Sequence, residues 1–282
     1  MRAVYATDLS DAIDTAIGTR TCLECLGRYG ITDIDLVTVT SPNVTTGMVG
    51  GDVPDRTKRA LARQQRMLED EGFTVQTHAV RGTPHRRING LAERVDADLI
   101  VVGSRGQSPL QERFIGSTAR NVARSATHPV LVQRIVETDD DLAVANEHLF
   151  ERVLYATDFS DNARAAFAQF DHLAGATQEA TLVHVAPPDR RPEREVVADA
   201  EATLGDLAGK LSDLDIAVET VVREGETVAE LLAAEAAVDP TSILVGSRGR
   251  SRLRRLLLGS TSESLVKRAE SNVLLVPPSR TR

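Results

Sequence analysis

The sequence predicts an α/β protein built as two tandem domains, each an open parallel sheet with helices on its faces. Three observations predict it. Short apolar runs alternate with helical patterns along the chain, which is the mark of βαβ units. The runs are continuous, as in LIVVG at 99–103 and SILVG at 242–246, so each reads as a strand buried on both faces. The whole order of elements then occurs twice, in residues that align with one another.

The elements follow in chain order. Residues 2–6 (RAVYA) form a strand that ends in Thr7-Asp8-Leu9-Ser10, and residues 151–156 (ERVLYA) repeat it, ending in Thr157-Asp158-Phe159-Ser160. A helical pattern runs over 11–28, with Ile13, Ala16, Ile17, Leu23 and Leu26 on its apolar side. Residues 34–39 (IDLVTV) are the second strand, and the Pro- and Gly-containing stretch 40–54 is a loop. A polar helix at 55–71, a strand at 73–80 and a helix opened by Gly82-Thr83-Pro84 come next. The strand at 98–102 enters a glycine motif, a helix leaves it, and VLVQRIV at 130–136 is the last strand. The second half repeats this order with small deletions, Val39 aligning with Val185 and Val75 with Val218. The domains are therefore expected at 1–136 and 151–282, with an Asp-rich linker at 137–150 that holds a short helix at Leu142–Leu149.

The glycine motif carries the chemistry. Gly103-Ser104-Arg105-Gly106 is followed by nine residues and Gly116-Ser117-Thr118. Gly246-Ser247-Arg248-Gly249, nine residues and Gly259-Ser260-Thr261 repeat it at a constant offset of 143. A strand, a glycine loop and a helix N-terminus together suit an anion, through close backbone approach, unpaired N–H groups and a positive dipole end. Ser260 and Glu263 also have the spacing of a capping box. Other glycine fingerprints fit badly. There is no G-x-x-x-x-G-K-[ST], and the first strand leads into Thr-Asp-x-Ser rather than G-x-G-x-x-G.

Composition bounds the rest. The chain has 282 residues, 41% hydrophobic and 3% aromatic with no Trp, so two aliphatic cores are expected. A net charge of −8 with only three lysines argues against general nucleic-acid binding, which needs a basic face. Two cysteines cannot make a disulfide framework. The first residues enter a strand pattern at once, so no signal peptide is expected, and no apolar run nears the roughly 18–20 residues of a membrane span. A cytoplasmic location without membrane contact is the expectation.

Thr-Asp-x-Ser after the first strand, with Gly-x2-Gly-x9-Gly-Ser after the fourth, resembles the universal stress protein family over nearly the whole chain. The resemblance implies a Rossmann-like five-stranded sheet in the order 3-2-1-4-5. It implies that members with the intact glycine motif bind ATP or a related adenine nucleotide. It also implies that tandem members pack their domains as a pseudo-dimer, and the apolar last strands at 130–136 and 272–276 are the edges expected to pair. By the same resemblance Asp8 and Asp158 lie at the ribose or at a metal such as Mg on the phosphates, and the backbone at Val39 and Val185 meets the adenine edge. The plain alternative for both aspartates is helix capping. His184, beside Val185, reads as a pocket-wall histidine, and Cys22-Leu23-Glu24-Cys25, inside a helix pattern, as packing residues. Arg248, Arg250, Arg252, Arg254 and Arg255 crowd the second motif, against Arg105 and Arg113 in the first. They form either a solvated face or a stronger anion site.

The expected cofactor-binding set is thus Thr7, Asp8, Val39, Gly103, Arg105, Gly106, Gly116, Ser117 and Thr118, with Thr157, Asp158, Val185, Gly246, Arg248, Gly249, Gly259, Ser260 and Thr261 in the second half. No catalytic group and no metal set is recognised. The expected function is adenine-nucleotide binding (ATP, ADP or AMP) in a stress-response regulator with a protein partner, the chain being free to dimerise further. A slow ATPase or phosphotransferase, and a nucleotide-free adaptor, stay open as alternatives.

Overall fold

The computed structural model describes residues 1–41, 54–104, 115–137, 142–186, 194–249 and 258–278. The chain divides into two units, Met1–Glu147 and His148–Arg282.

The first unit contains β1 (Arg2–Thr7), α1 (Asp11–Gly18), α2 (Arg20–Arg28), β2 (Asp33–Thr40), α3 (Asp55–Asp70), β3 (Thr74–Arg81), α4 (Pro84–Val95), β4 (Leu99–Gly103), α5 (Ser117–Ser125), β5 (Val130–Gln133), β6 (Ile135–Glu137) and β7 (Leu142–Val144). Its main sheet is parallel, in the order β3-β2-β1-β4-β5. The second unit contains β8 (Arg152–Thr157), α6 (Asp161–Phe167), α7 (Phe170–Leu173), β9 (Glu179–Ala186), α8 (Arg194–Ser212), β10 (Ala217–Glu224), α9 (Thr227–Val238), β11 (Ser242–Gly246), α10 (Ser260–Arg268) and β12 (Asn272–Val276). Its sheet runs β10-β9-β8-β11-β12, again parallel. Both units therefore have the 3-2-1-4-5 order. The central strands β1, β4, β8 and β11 are apolar because helices cover both faces of each sheet, and their Val, Leu and Ile side chains form aliphatic cores. The outer strands β3 and β10 share one half-exposed burial pattern.

Three local expectations are corrected. The helix expected over 11–28 breaks at Thr19, which is extended (φ −81°, ψ 95°) and ends α1 while starting α2. Gly18 and Thr19 are weak helix formers, and the Thr19 hydroxyl donates back to the Thr15 carbonyl at 2.9 Å. The strand expected at 130–136 splits at Arg134, whose carbonyl accepts from the Ala145 N–H at 2.9 Å. Beyond the split, β6 pairs antiparallel with β7, Ile135 opposite Val144 and Val136 opposite Ala143. The helix expected at Leu142–Leu149 is thus a short strand followed by bends. A Leu-Ala-Val run beside a waiting strand edge gains more from pairing than three residues gain from an isolated helical turn.

The first unit buries a polar chain in its core. The Tyr5 hydroxyl donates to Gln133 Oε1 at 3.0 Å, and Gln133 Nε2 donates to Cys22 Sγ at 3.4 Å. The Cys22 thiol donates in turn to the Glu147 carbonyl at 3.0 Å. Cys22 and Cys25 are both buried, which agrees with a packing role. Burial, with Cys25 close by, pushes the Cys22 thiol from 9.0 up to about 12.

Two predictions follow from this packing. The folded thiol resists ionisation while the unfolded one ionises near its ordinary value. Its contribution to stability is therefore complete below pH 9 and falls as the pH rises towards 12. Urea unfolding of the native chain should lose midpoint between pH 9 and 10.5 more steeply than that of Cys22→Ala. Second, Gly205 and Gly209 lie exposed inside α8, and a Cβ at either would meet nothing within 4 Å. Gly205→Ala and Gly209→Ala should each stabilise the chain by about 0.5–1 kcal/mol, read from the same urea curves.

Candidate functional site

The site begins where neighbouring parallel strands end together. The β1–β4 pairing runs to Ala6 opposite Val102, so Thr7-Asp8 and Gly103-Ser104 leave the sheet side by side. In the second unit Ala156 lies opposite Val245, which sets Thr157-Asp158 beside Gly246-Ser247. These carboxyl ends flank the switch point of an open sheet, from which one crossover leads to each side.

Both strands end in the same tight turn. Thr7 Oγ1 accepts the Leu9 N–H at 2.9 Å, and Asp8 Oδ1 accepts the Ser10 N–H at 3.0 Å. Thr157 and Asp158 do the same for Phe159 and Ser160, both at 3.0 Å. The residue between sits in the left-handed region, Leu9 at φ 61° and Phe159 at φ 60°. That conformation costs a residue with a side chain about 1–2 kcal/mol, and the two side-chain hydrogen bonds offset it. The helix caps are Ser10 and Ser160, not the aspartates. Each aspartate is instead held half-buried by the backbone two residues on.

The second glycine loop comes to meet Asp158. A Cβ placed on Gly249 would lie 2.9 Å from Asp158 Oδ2, so the glycine makes room for the carboxylate. A Cβ on Gly259 would make only ordinary contacts, 3.4 Å from the Ser247 carbonyl oxygen and 3.5 Å from Arg248 Cα. A backbone hydrogen bond spans the base of each loop. The Gly259 N–H donates to the Ser247 carbonyl at 2.8 Å, and the Gly116 N–H to the Ser104 carbonyl at 2.8 Å. Gly116 and Gly259 are the N-cap residues of α5 and α10 and bring no side chain to cap the first-turn N–H groups. The capping box expected at Ser260 and Glu263 is therefore absent. The helix starts one residue earlier, and Glu263 pairs with Lys267 at 2.8 Å.

The second unit thus brings Thr157, Asp158, Gly246, Arg248, Gly249 and Gly259 together, with Ser260 and Thr261 opening α10 beside them. The first brings Thr7 and Asp8 beside Gly103, and Gly116, Ser117 and Thr118 beneath Ser104. Arg105, Gly106, Arg113 and the arginines at 250, 252, 254 and 255 lie outside the described residues. Val39 and Val185 stand one residue past the last β1–β2 and β8–β9 pairs, Thr7–Thr38 and Thr157–His184. Their backbone therefore lies beyond the end of the central strand. His184 walls the second site. Its Nδ1 lies 2.9 Å from the Thr157 carbonyl, which can only accept, so Nδ1 carries the proton. Its ring stacks on Phe159 with centroids 4.4 Å apart. Among the described residues no group of three or more His, Cys, Asp or Glu could hold a metal.

Two members of the second site escaped the sequence reading. Asn162 and Ser262, both buried, hydrogen-bond to the glycine loop. Aligning the halves could have found them, because Ala12 and Ala119 stand at the matching places.

Comparison with known proteins places this fold and these motifs. The model of the universal stress protein family matches residues 1–134 and 149–277. A universal stress protein of Mycolicibacterium smegmatis is 27% identical over 238 residues, 79% of this chain and 78% of that protein. One of Methanocaldococcus jannaschii is 37% identical over 78 residues, which are 28% of this chain and 48% of that protein, so the match spans about half of its length. The crystal structure of a universal stress protein from Archaeoglobus fulgidus superposes with a TM-score of 0.74 at 23% identity, covering 99% of this chain and 98% of that one. With both halves matched by the family model and the 3-2-1-4-5 sheet in each, this chain belongs to the universal stress protein family.

Proposed function

We propose that each unit binds an adenine nucleotide, ATP or its di- or monophosphate, at the carboxyl end of its sheet, and that the protein acts as a cytoplasmic stress-response regulator rather than as an enzyme. One observation carries the reading: the half-buried Asp158 carboxylate lies against Gly249 of a loop closed over a helix start without a capping side chain. Backbone N–H groups of α10 and the loop would receive the phosphates. Asp158, fixed by the Ser160 N–H, would take a ribose hydroxyl or a Mg ion carried in with the triphosphate. The backbone at Val185, past the end of β8, would meet the edge of the base. Family membership supports the same placement in the first unit, around Asp8, Gly103 and Gly116.

The second site is expected to be the tighter one for triphosphate. It adds Arg248, Arg250, Arg252, Arg254 and Arg255 in the motif, against Arg105 and Arg113 in the first. An exposed charge pair contributes up to roughly 1 kcal/mol, so two or three in reach amount to about one or two tenfold steps in affinity. Titration calorimetry with ATP on the intact chain, Gly106→Asp and Gly249→Asp should show this gap at low salt and a smaller one at high salt. Equal affinities of the two variants at low salt would refute the arginine contribution, and full binding in the double variant would refute the loop assignment. Phosphate release should stay below about 1 per second, well under ordinary enzyme turnover. Faster release that disappears in Asp158→Asn would show the protein to be an ATPase.

A further inference from the structure

We propose that Asn162 and Ser262 are positioning residues that preform Gly246–Arg248 at the start of the second glycine motif, a support that Ala12 and Ala119, at the matching places of the first unit, cannot give, so that the two sites differ in preorganisation as well as in charge. The inference rests on the nucleotide reading for its functional half and on geometry alone for its structural half.

Asn162 lies in the first turn of α6, 7% exposed. Its Nδ2 donates to the Val276 carbonyl at 2.9 Å, and its Oδ1 accepts the Arg248 N–H at 2.8 Å. One neutral side chain thus joins the end of β12 to the second residue past β11. The amide can face only this way, since one partner is an acceptor and the other a donor. Gly246 makes the approach possible, because a Cβ there would fall 3.0 Å from the Asn162 carbonyl oxygen and 3.1 Å from its Cγ. Ser262 holds the same stretch from the other side, its hydroxyl donating to the Gly246 carbonyl at 2.8 Å from within α10. With the Gly259 N–H on the Ser247 carbonyl, three consecutive residues, Gly246, Ser247 and Arg248, are each fixed by a hydrogen bond from a different part of the site.

The first unit lacks both of these side chains. The alanine side chains at 12 and 119 offer neither donor nor acceptor. There the Ile135 N–H donates to Ser104 Oγ at 3.0 Å. The second unit has no counterpart to that bond, because Pro278 stands at the matching place and has no N–H. That bond holds Ser104, the counterpart of Ser247, while Asn162 holds Arg248, whose own counterpart Arg105 lies outside the described residues.

A loop that is competent only part of the time binds more weakly by that fraction. The second site should therefore owe part of its affinity to order, and that part, carried by neutral groups, should not respond to salt. The test starts on the nucleotide-free chain. Amide hydrogen exchange at Arg248 should speed up about tenfold or more in Asn162→Ala, while Asn162→Asp, which keeps the acceptor oxygen, should retain protection. In a Gly106→Asp background, Asn162→Ala and Ser262→Ala should each weaken ATP binding about tenfold, by the same factor at low and high salt. Conversely, Ala12→Asn with Ala119→Ser in a Gly249→Asp background should tighten the first site, a gain that damage to the fold cannot produce. Unchanged exchange at Arg248 in Asn162→Ala overturns the proposal, as does an affinity loss that shrinks with salt. Faster exchange at Arg248 in a protein that binds no ATP would keep the positioning role and refute the nucleotide reading.

Discussion

A backbone hydrogen bond across the base of each glycine loop joins the strand end to the helix start, and the rest of the site is built around it. The N–H of the last motif glycine reaches the carbonyl of the serine just past the fourth strand, at 2.8 Å in both units. This contact ties the start of the following helix to the end of the strand, across the eleven residues that separate Ser104 from Gly116 and Ser247 from Gly259. The Thr-Asp-x-Ser turn adds the second fixed point. Its left-handed central residue lets threonine and aspartate each capture a backbone N–H two residues on, which sets the carboxylate facing the loop.

Much of this was legible in the sequence. Continuous apolar runs gave the strands, the repeat gave two units, and the two motifs fall at neighbouring strand ends, because glycine spacing and aspartate position are local properties. What escaped depended on side chains meeting across the fold. The break at Thr19 follows from a hydroxyl turning back onto its own helix, in a segment whose apolar periodicity continues through the break. The β6–β7 pair escaped because three-residue strands carry too little pattern to be told from a helical turn. Asn162 is a polar residue at a helix start, and only its position under the Arg248 N–H gives it a role. The motif glycines were read as making room for a ligand, yet Gly246 and Gly249 first make room for Asn162 and Asp158.

The two units reach one backbone with different polar interiors. In the first, Tyr5 donates to Gln133 and the chain of contacts ends at a thiol. In the second, the matching tyrosine, Tyr155, donates to the Ala163 carbonyl at 2.7 Å, valine replaces the glutamine, and Asn162 takes over the bridging. Buried donors need acceptors, so each change of residue required a compensating one nearby. Such coupled sets let duplicated halves diverge in their interiors while keeping the same strand order and loop frame.

The β6–β7 hairpin sets how the first half could exist alone. The family match ends at residue 134, yet the chain continues into β6, returns as β7 and brings the Asn146–Glu147 backbone to the Cys22 thiol. A protein cut at the end of the recognised segment would lose β7 and leave both that thiol and the carbonyl of Arg134 without the partners seen here. The natural unit of exchange, for gene fission or for grafting this half elsewhere, therefore runs through Glu147.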